Sequence, residues 1–216
     1  MRTRMVYPHP ELERNGPFRL GHVRGRPHYP RCVADKVASR STGRWELGAH
    51  GAWIHRAREK DLDLAAEILE DAAAWVASLG MPAWEAGSFR APQGNGRARL
   101  VDAMRAGDLY VARIEDRAVA TVSLFEVDER FWPGWPPDAL YVHKLAVRRR
   151  DAGLGVGEAI LRWASAQAQA RGRRYVRLDC PRDDPGIRAY YERAGYVHQG
   201  DVTVGSFDAA LYERPV

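Results

Sequence analysis

The residues of this chain best suited to chemistry begin with three glycines at alternate positions, Gly153, Gly155 and Gly157, preceded by Arg148, Arg149 and Arg150. They separate the run Tyr141-Val-His-Lys-Leu-Ala-Val147, which reads as a strand, from a series of helix formers after Gly157. The first N–H groups of a helix lack a carbonyl partner and the helix dipole adds positive potential there, so such a turn suits an anion. Glycines carry no Cβ, and a phosphate can come right up to their backbone. A plain strand-to-helix turn is the alternative that glycines alone leave open. On the strand itself stands His143, whose imidazole, with an ordinary pKa of ~6.5, exchanges protons in the range where enzymes work.

Spacing separates this turn from a dinucleotide site. That fingerprint runs G-x-G-x-x-G, with an acidic residue about 20 residues on. Here the pattern is G-x-G-x-G, and Asp179 closes the next strand 22 residues after Gly157, a partial match only. The segment Ala152-Gly153-Leu154-Gly155-Val156-Gly157 instead resembles the R/Q-x-x-G-x-G/A motif of the GNAT superfamily of N-acetyltransferases. A second segment, Ala189-Tyr-Tyr-Glu-Arg-Ala-Gly195-Tyr196, resembles that family's L-Y-E-K-x-G-F. The strand Tyr141-x-His143-x-Leu-Ala-Val147 resembles the H-x-H-x-L-A-V of arylalkylamine N-acetyltransferases, with Tyr141 in place of the first histidine. The resemblance runs from roughly Trp53 to the C-terminus.

It implies an N-acetyltransferase that moves the acetyl group of acetyl-CoA to the primary amine of a small molecule, directly, in a ternary complex. Pantetheine would lie between the 141–147 and 175–180 strands against the backbone of Leu145, Ala146 and Val147. The turn Ala152, Gly153, Leu154, Gly155, Val156 and Gly157 would hold the pyrophosphate. Ala152 departs from the motif's Arg or Gln, a contact worth ~1.5–3 kcal/mol when charge-assisted, and the upstream arginines could replace it or remain a solvated turn. Asp184 stands where the family often has an Asn on the cofactor arm, and an ionised carboxylate accepts but cannot donate.

Tyr191 falls on the tyrosine that faces the thioester sulfur in the family, with Tyr190 its packing neighbour. A phenol (pKa ~10) and a thiol (pKa ~8.5) differ by ~2 kcal/mol, within reach of a hydrogen bond that tightens as thiolate leaves. His143 is the candidate general base. Glu126, at the end of the preceding strand, is its rival through a water, while Asp128 and Glu129 read as solvated loop charges. Trp84, Phe89, Phe131, Trp132 and Trp135 would form an apolar mouth for the acceptor, with Glu126 or Asp128 receiving a cation. No metal is expected, and Cys180 belongs to the cofactor-side strand, away from any covalent acyl intermediate. Two alternatives stand beside this reading. One is a non-catalytic acyl-CoA-binding module, suggested by Ala152 and Asp184. The other is an RNA-directed protein acetylating aminoacyl-tRNA.

The elements that must position these residues read β, α, α, β, β, β, α, β, α, β, with a further strand near 196–204. A hairpin followed by a β-α-β unit implies an α/β protein with a mixed sheet of six to seven strands and four helices on its two faces. Asp61 is placed to cap the first helix. At 216 residues the chain fits one domain, expected over 51–216. Residues 1–50 hold 10 of the 33 Lys and Arg and 4 of the 28 Asp and Glu, a net of +6, so the other 166 carry −1. That Gly-, Pro- and Arg-rich segment reads as a loosely packed extension, and a basic arm can also grip nucleic acid. No apolar run approaches the ~20 residues of a membrane span. Two cysteines without metal or disulfide spacing make the cytoplasm the expected location. Three lysines against 30 arginines suggest a GC-rich bacterial genome, and a homodimer is left open.

Overall fold

A computed structural model describes residues 44–48, 50–80, 84 and 86–216, so expectations for residues 1–43 lie outside the described residues. Eight strands form one sheet: β1 (Arg44–Glu46), β2 (Ala52–Arg56), β3 (Leu109–Ile114), β4 (Arg117–Phe125), β5 (Ala139–Val147), β6 (Tyr175–Pro181), β7 (Val197–Val204) and β8 (Phe207–Pro215). Their order is β1-β2-β3-β4-β5-β6-β8-β7, and among the described residues only β5 and β6 run parallel. The expected six to seven strands are therefore corrected to eight. The extra one, β1, lies inside the segment expected to be an extension. Its three residues are too short to show a period, but Trp45 packs on Tyr110 and Trp163 at 6.0 and 5.8 Å, and Leu47 is buried behind it.

Four helices cover the sheet: α1 (Leu62–Ser78), α2 (Asn95–Ala106), α3 (Val156–Ala170) and α4 (Pro185–Arg193). On α1 the residues Leu62, Ala65, Ile68, Leu69 and Ala73 recur every three or four positions and are buried. On α3 the same spacing buries Ile160, Trp163, Ala164 and Ala168. These two stripes fix which face each helix turns to the sheet. With α2, α1 closes one core around Leu100, Leu109 and Val111. With α4, α3 closes the other around Leu124, Val142 and Leu178. Asp61 does not cap α1. It is fully buried and accepts instead from the Arg58 N–H and the Arg113 guanidinium at 3.0 and 3.1 Å.

Two irregularities at the centre of the sheet open it. Strands β5 and β6 pair from Ala139–Tyr175 to Val142–Leu178 and then part, although β5 continues to Val147 and β6 to Pro181. On its other side β5 pairs His143 with Ser123 and Ala146 with Thr121, so three steps of β5 span two of β4. That bulge holds Lys144 at φ +50, a left-handed conformation. Bulges bend a strand and increase its twist, which turns β5 away from β6.

Candidate active site

The opening between β5 and β6 continues into a cleft of about 1700 Å³. Pockets for one drug-sized ligand run about 300–1,000 Å³, so this cleft has room for two reactants. Leu145, Ala146 and Val147 form one wall, and the backbone of β5 there faces the gap without a β6 partner. The turn before α3 forms the cleft's end. Gly153 and Gly155 adopt φ +85 and +71, no side chain caps α3, and the first-turn N–H groups of Val156, Gly157 and Glu158 have no carbonyl partner within the helix. Leu154 is exposed on the outside of that turn.

The upstream arginines divide. Arg148 donates to Glu67 and to the Ala118 carbonyl at 3.2 and 3.0 Å, which ties it to α1 and β4 rather than to the turn. Arg149 stacks 4.6 Å over Trp75 and borders the cleft, so it is the arginine in position to replace the side chain missing at Ala152. Asp184 is also diverted. Its carboxylate caps α4, accepting from the Gly186 and Ile187 N–H groups at 2.9 and 3.0 Å.

Tyr191 is buried at the cleft floor beside Cys180, and burial pushes its phenol well above the usual range. Tyr190 does not face away, as a simple two-sided helix would have it. Both tyrosines line the cleft, and a Cβ on Gly157 would meet the Tyr190 hydroxyl at 2.6 Å. The aromatic pair therefore seats α4 against the start of α3.

His143 lies opposite, between the rings of Phe125 and Phe131 at 5.4 and 6.0 Å. Its Nε2 is 3.0 Å from Asp128 Oδ2, and its Nδ1 is 3.4 Å from Asp179 Oδ1. Asp128 is no solvated loop charge. It also accepts from the Arg130 and Phe131 N–H groups. Burial alone would raise its pKa, but the His143 hydrogen bond and those N–H groups hold the carboxyl below the ordinary range. Asp179 goes the other way. Burial, with Asp128 adding repulsion, pushes its carboxyl up, and at 3.4 Å its Oδ1 falls short of a hydrogen bond to the imidazole.

The chain from residue 64 to residue 196 matches the model of the acetyltransferase (GNAT) family. The chain belongs to the GNAT acetyltransferase family. It is 28% identical, over 72% of its length and 87% of the relative's, to the uncharacterized N-acetyltransferase YesJ of Bacillus subtilis. Its fold is similar to a GNAT-family acetyltransferase of Listeria monocytogenes, with TM-score 0.62 and 18% identity over 78% of this chain and 98% of that one. It is also similar to the PaiA N-acetyltransferase of Thermoplasma acidophilum in complex with coenzyme A, with TM-score 0.58 and 13% identity over 76% and 99%.

Several site expectations for this GNAT chain need correction. Glu126 lies outside the cleft, paired with Arg173 and Arg171 at 2.5 and 3.1 Å; the Arg173 hydrogen bond foremost keeps its carboxyl low, so it is no base for this site. Trp132 and Trp135 are structural. Their rings flank Arg177, which is buried with Glu213 and Asp138 at 2.8 and 3.0 Å. Trp84 and Phe89 do line the cleft, packed edge to face, and Phe131 joins them. Cys180 lines it too, but burial drives its thiol up to about 12, which keeps it protonated and a poor nucleophile. Asp128 and Asp179 carried faint signals: an Asp two residues before an Arg-Phe turn, and an acid ending an apolar strand. Lys144 carried none. No helix among the described residues is long and apolar enough to cross a membrane.

Proposed function

We propose that this GNAT acetyltransferase takes acetyl-CoA and transfers its acetyl group to the primary amine of a small molecule in a ternary complex. The observation that carries the reading is the parting of β5 and β6 directly beside the uncapped start of α3. Pantetheine fits that gap as a short extra strand on the free backbone of Leu145 to Val147, and the pyrophosphate meets the N–H groups of the Ala152–Gly157 turn. The thioester then lies between Tyr191 on one side and His143 on the other.

An ammonium must lose a proton before its nitrogen can attack a carbonyl. The His143 and Asp179 pair accepts it: with Asp128 holding Nε2–H, the Nδ1 side faces the acceptor. The neutral amine attacks the thioester carbon, a C–N bond forms and the C–S bond breaks, and the proton the nitrogen sheds ends on the departing sulfur as coenzyme A thiol. Tyr191 donates a hydrogen bond to the departing sulfur. Its raised pKa weakens it as an acid, so its part is a hydrogen bond that tightens on the developing thiolate rather than full transfer of the phenolic proton. The aromatic walls of Trp84, Phe89 and Phe131 favour a small acceptor over a folded protein surface.

The test supplies isotopically labelled acetyl-CoA with a panel of amines and follows acetylated product by mass spectrometry. Product should form, and Tyr191→Phe should lower kcat at least tenfold with little change in acetyl-CoA affinity. Undiminished kcat in that variant would remove Tyr191 from the reaction.

A further inference from the structure

Three cations border the acceptor side of the cleft: Arg99 of α2, Arg130 of the β4–β5 loop and Lys144 of the β5 bulge. Among the described residues none of them is in an ion pair, although most arginines around this core are. Two of them take fixed places around His143. Lys144 Nζ stands 6.0 Å over the Phe125 ring and the Arg130 guanidinium 5.5 Å over the Phe131 ring, the same two rings that enclose the imidazole. The exposed Asp102 and Glu129 also border the cleft and pair with none of the three. Lys144 is held in a strained left-handed conformation, and its half-buried side chain lines the cleft. Burial foremost, then the charge of Arg99, brings it down to about 8, with Asp179 opposing the shift and Arg130 adding to it. On the imidazole side, Asp179 Oδ1 is sealed from solvent without a hydrogen-bond partner.

The site thus offers the His143 imidazole and the cleft-lining Asp179 carboxyl to an amine and, across the Phe125 ring, cations that have no ion pair among the described residues to something negative. We infer that the acceptor is an amine that also carries a small oxyanion, with its amino group at His143 and Asp179 and its oxyanion among Lys144, Arg99 and Arg130. This rests on the transfer reading above and adds the class of acceptor. A polyamine, cationic at every end, would meet three like charges and is disfavoured. A carboxylate and a phosphate share the chemistry that an ammonium and two guanidinium groups recognise.

Matched pairs separate these possibilities: phenylalanine against phenethylamine for a carboxylate, and phosphoethanolamine against ethanolamine for a phosphate, with spermidine as the all-cationic comparison. With saturating acetyl-CoA, kcat/KM from coenzyme A release should favour the anionic member of one pair at least tenfold. Lys144→Met combined with Arg99→Met should bring that ratio to about one, with acetyl-CoA affinity reporting that the variant is folded. Equal rates within both pairs, a preference for spermidine, or a ratio that survives the double variant would overturn the inference. So would Zn²⁺ or Mn²⁺ stabilising the wild type but not Asp179→Asn, since the Asp128, His143 and Asp179 trio would then belong to a metal. If acetyl-CoA binds yet no amine releases coenzyme A, the transfer reading fails on its own. Thermal shifts with the same pairs then decide: stabilisation by the anionic members alone upholds the oxyanion site, and equal shifts end it.

Discussion

A carboxyl sealed from water beside another carboxylate holds its proton to higher pH than a free one, and Asp179 is such a group. The sign of its effect on stability follows. Its folded pKa lies above the ~3.9 of an unfolded Asp, so between those values the folded chain binds more protons than the unfolded one. Stability therefore falls as pH rises through that window, and the deficit persists at neutral pH. Asp179→Asn should raise Tm at pH 7, by about 2–4 °C for each kcal/mol recovered, while lowering kcat/KM at least tenfold. Thermal unfolding and initial rates on the same preparation check both halves. A Tm that drops would show the charged carboxylate supporting the fold instead. Tyr191 was legible because its neighbours in the chain carry the motif. Asp128 and Asp179 were not, since only the β4–β5–β6 register brings them to one imidazole.

Among the elements, α3 and α4 come close at Gly157. The Tyr190 hydroxyl occupies the space that a Cβ on Gly157 would need, at 2.6 Å, while the next Tyr190 atom, Cζ, lies at a comfortable 3.7 Å. Gly157→Ala should therefore push the α3 start away from α4 and weaken acetyl-CoA binding at least tenfold. Removing the one clashing oxygen with Tyr190→Phe in the same chain should restore most of that affinity. Rescue is the informative arm, measured by calorimetric titration of acetyl-CoA. A double variant as weak as the single one would place the role of Gly157 in its backbone alone. Element boundaries were largely readable, because α1 and α3 bury regular stripes and β3 to β6 are apolar runs. The start of α2 was hidden by Asn95 and Gly96, both poor helix formers. The β5 bulge was hidden as well, because nothing local marks Lys144 for a left-handed backbone.

At the scale of the whole molecule, the sheet supplies the site by failing to close. Seven strand pairings hold eight strands together, and the one parallel pairing stops after four residue pairs. Arg177 clamps the closed end of that pair, buried among Glu213, Asp138 and the Tyr141 hydroxyl, so the strands part only beyond Val142. The aromatic residues Trp132 and Trp135 serve that clamp, which is why composition alone misplaced them at the mouth. A tryptophan-rich loop looks the same in sequence whether it encloses a ligand or an arginine. All of the chemistry proposed for the cleft requires that coenzyme A occupy the gap beyond the clamp. Isothermal titration of acetyl-CoA into the wild-type chain tests this most directly. The account requires saturable binding of one molecule per chain, displaced by free coenzyme A; a titration without saturable heat, or binding that coenzyme A cannot displace, would contradict it.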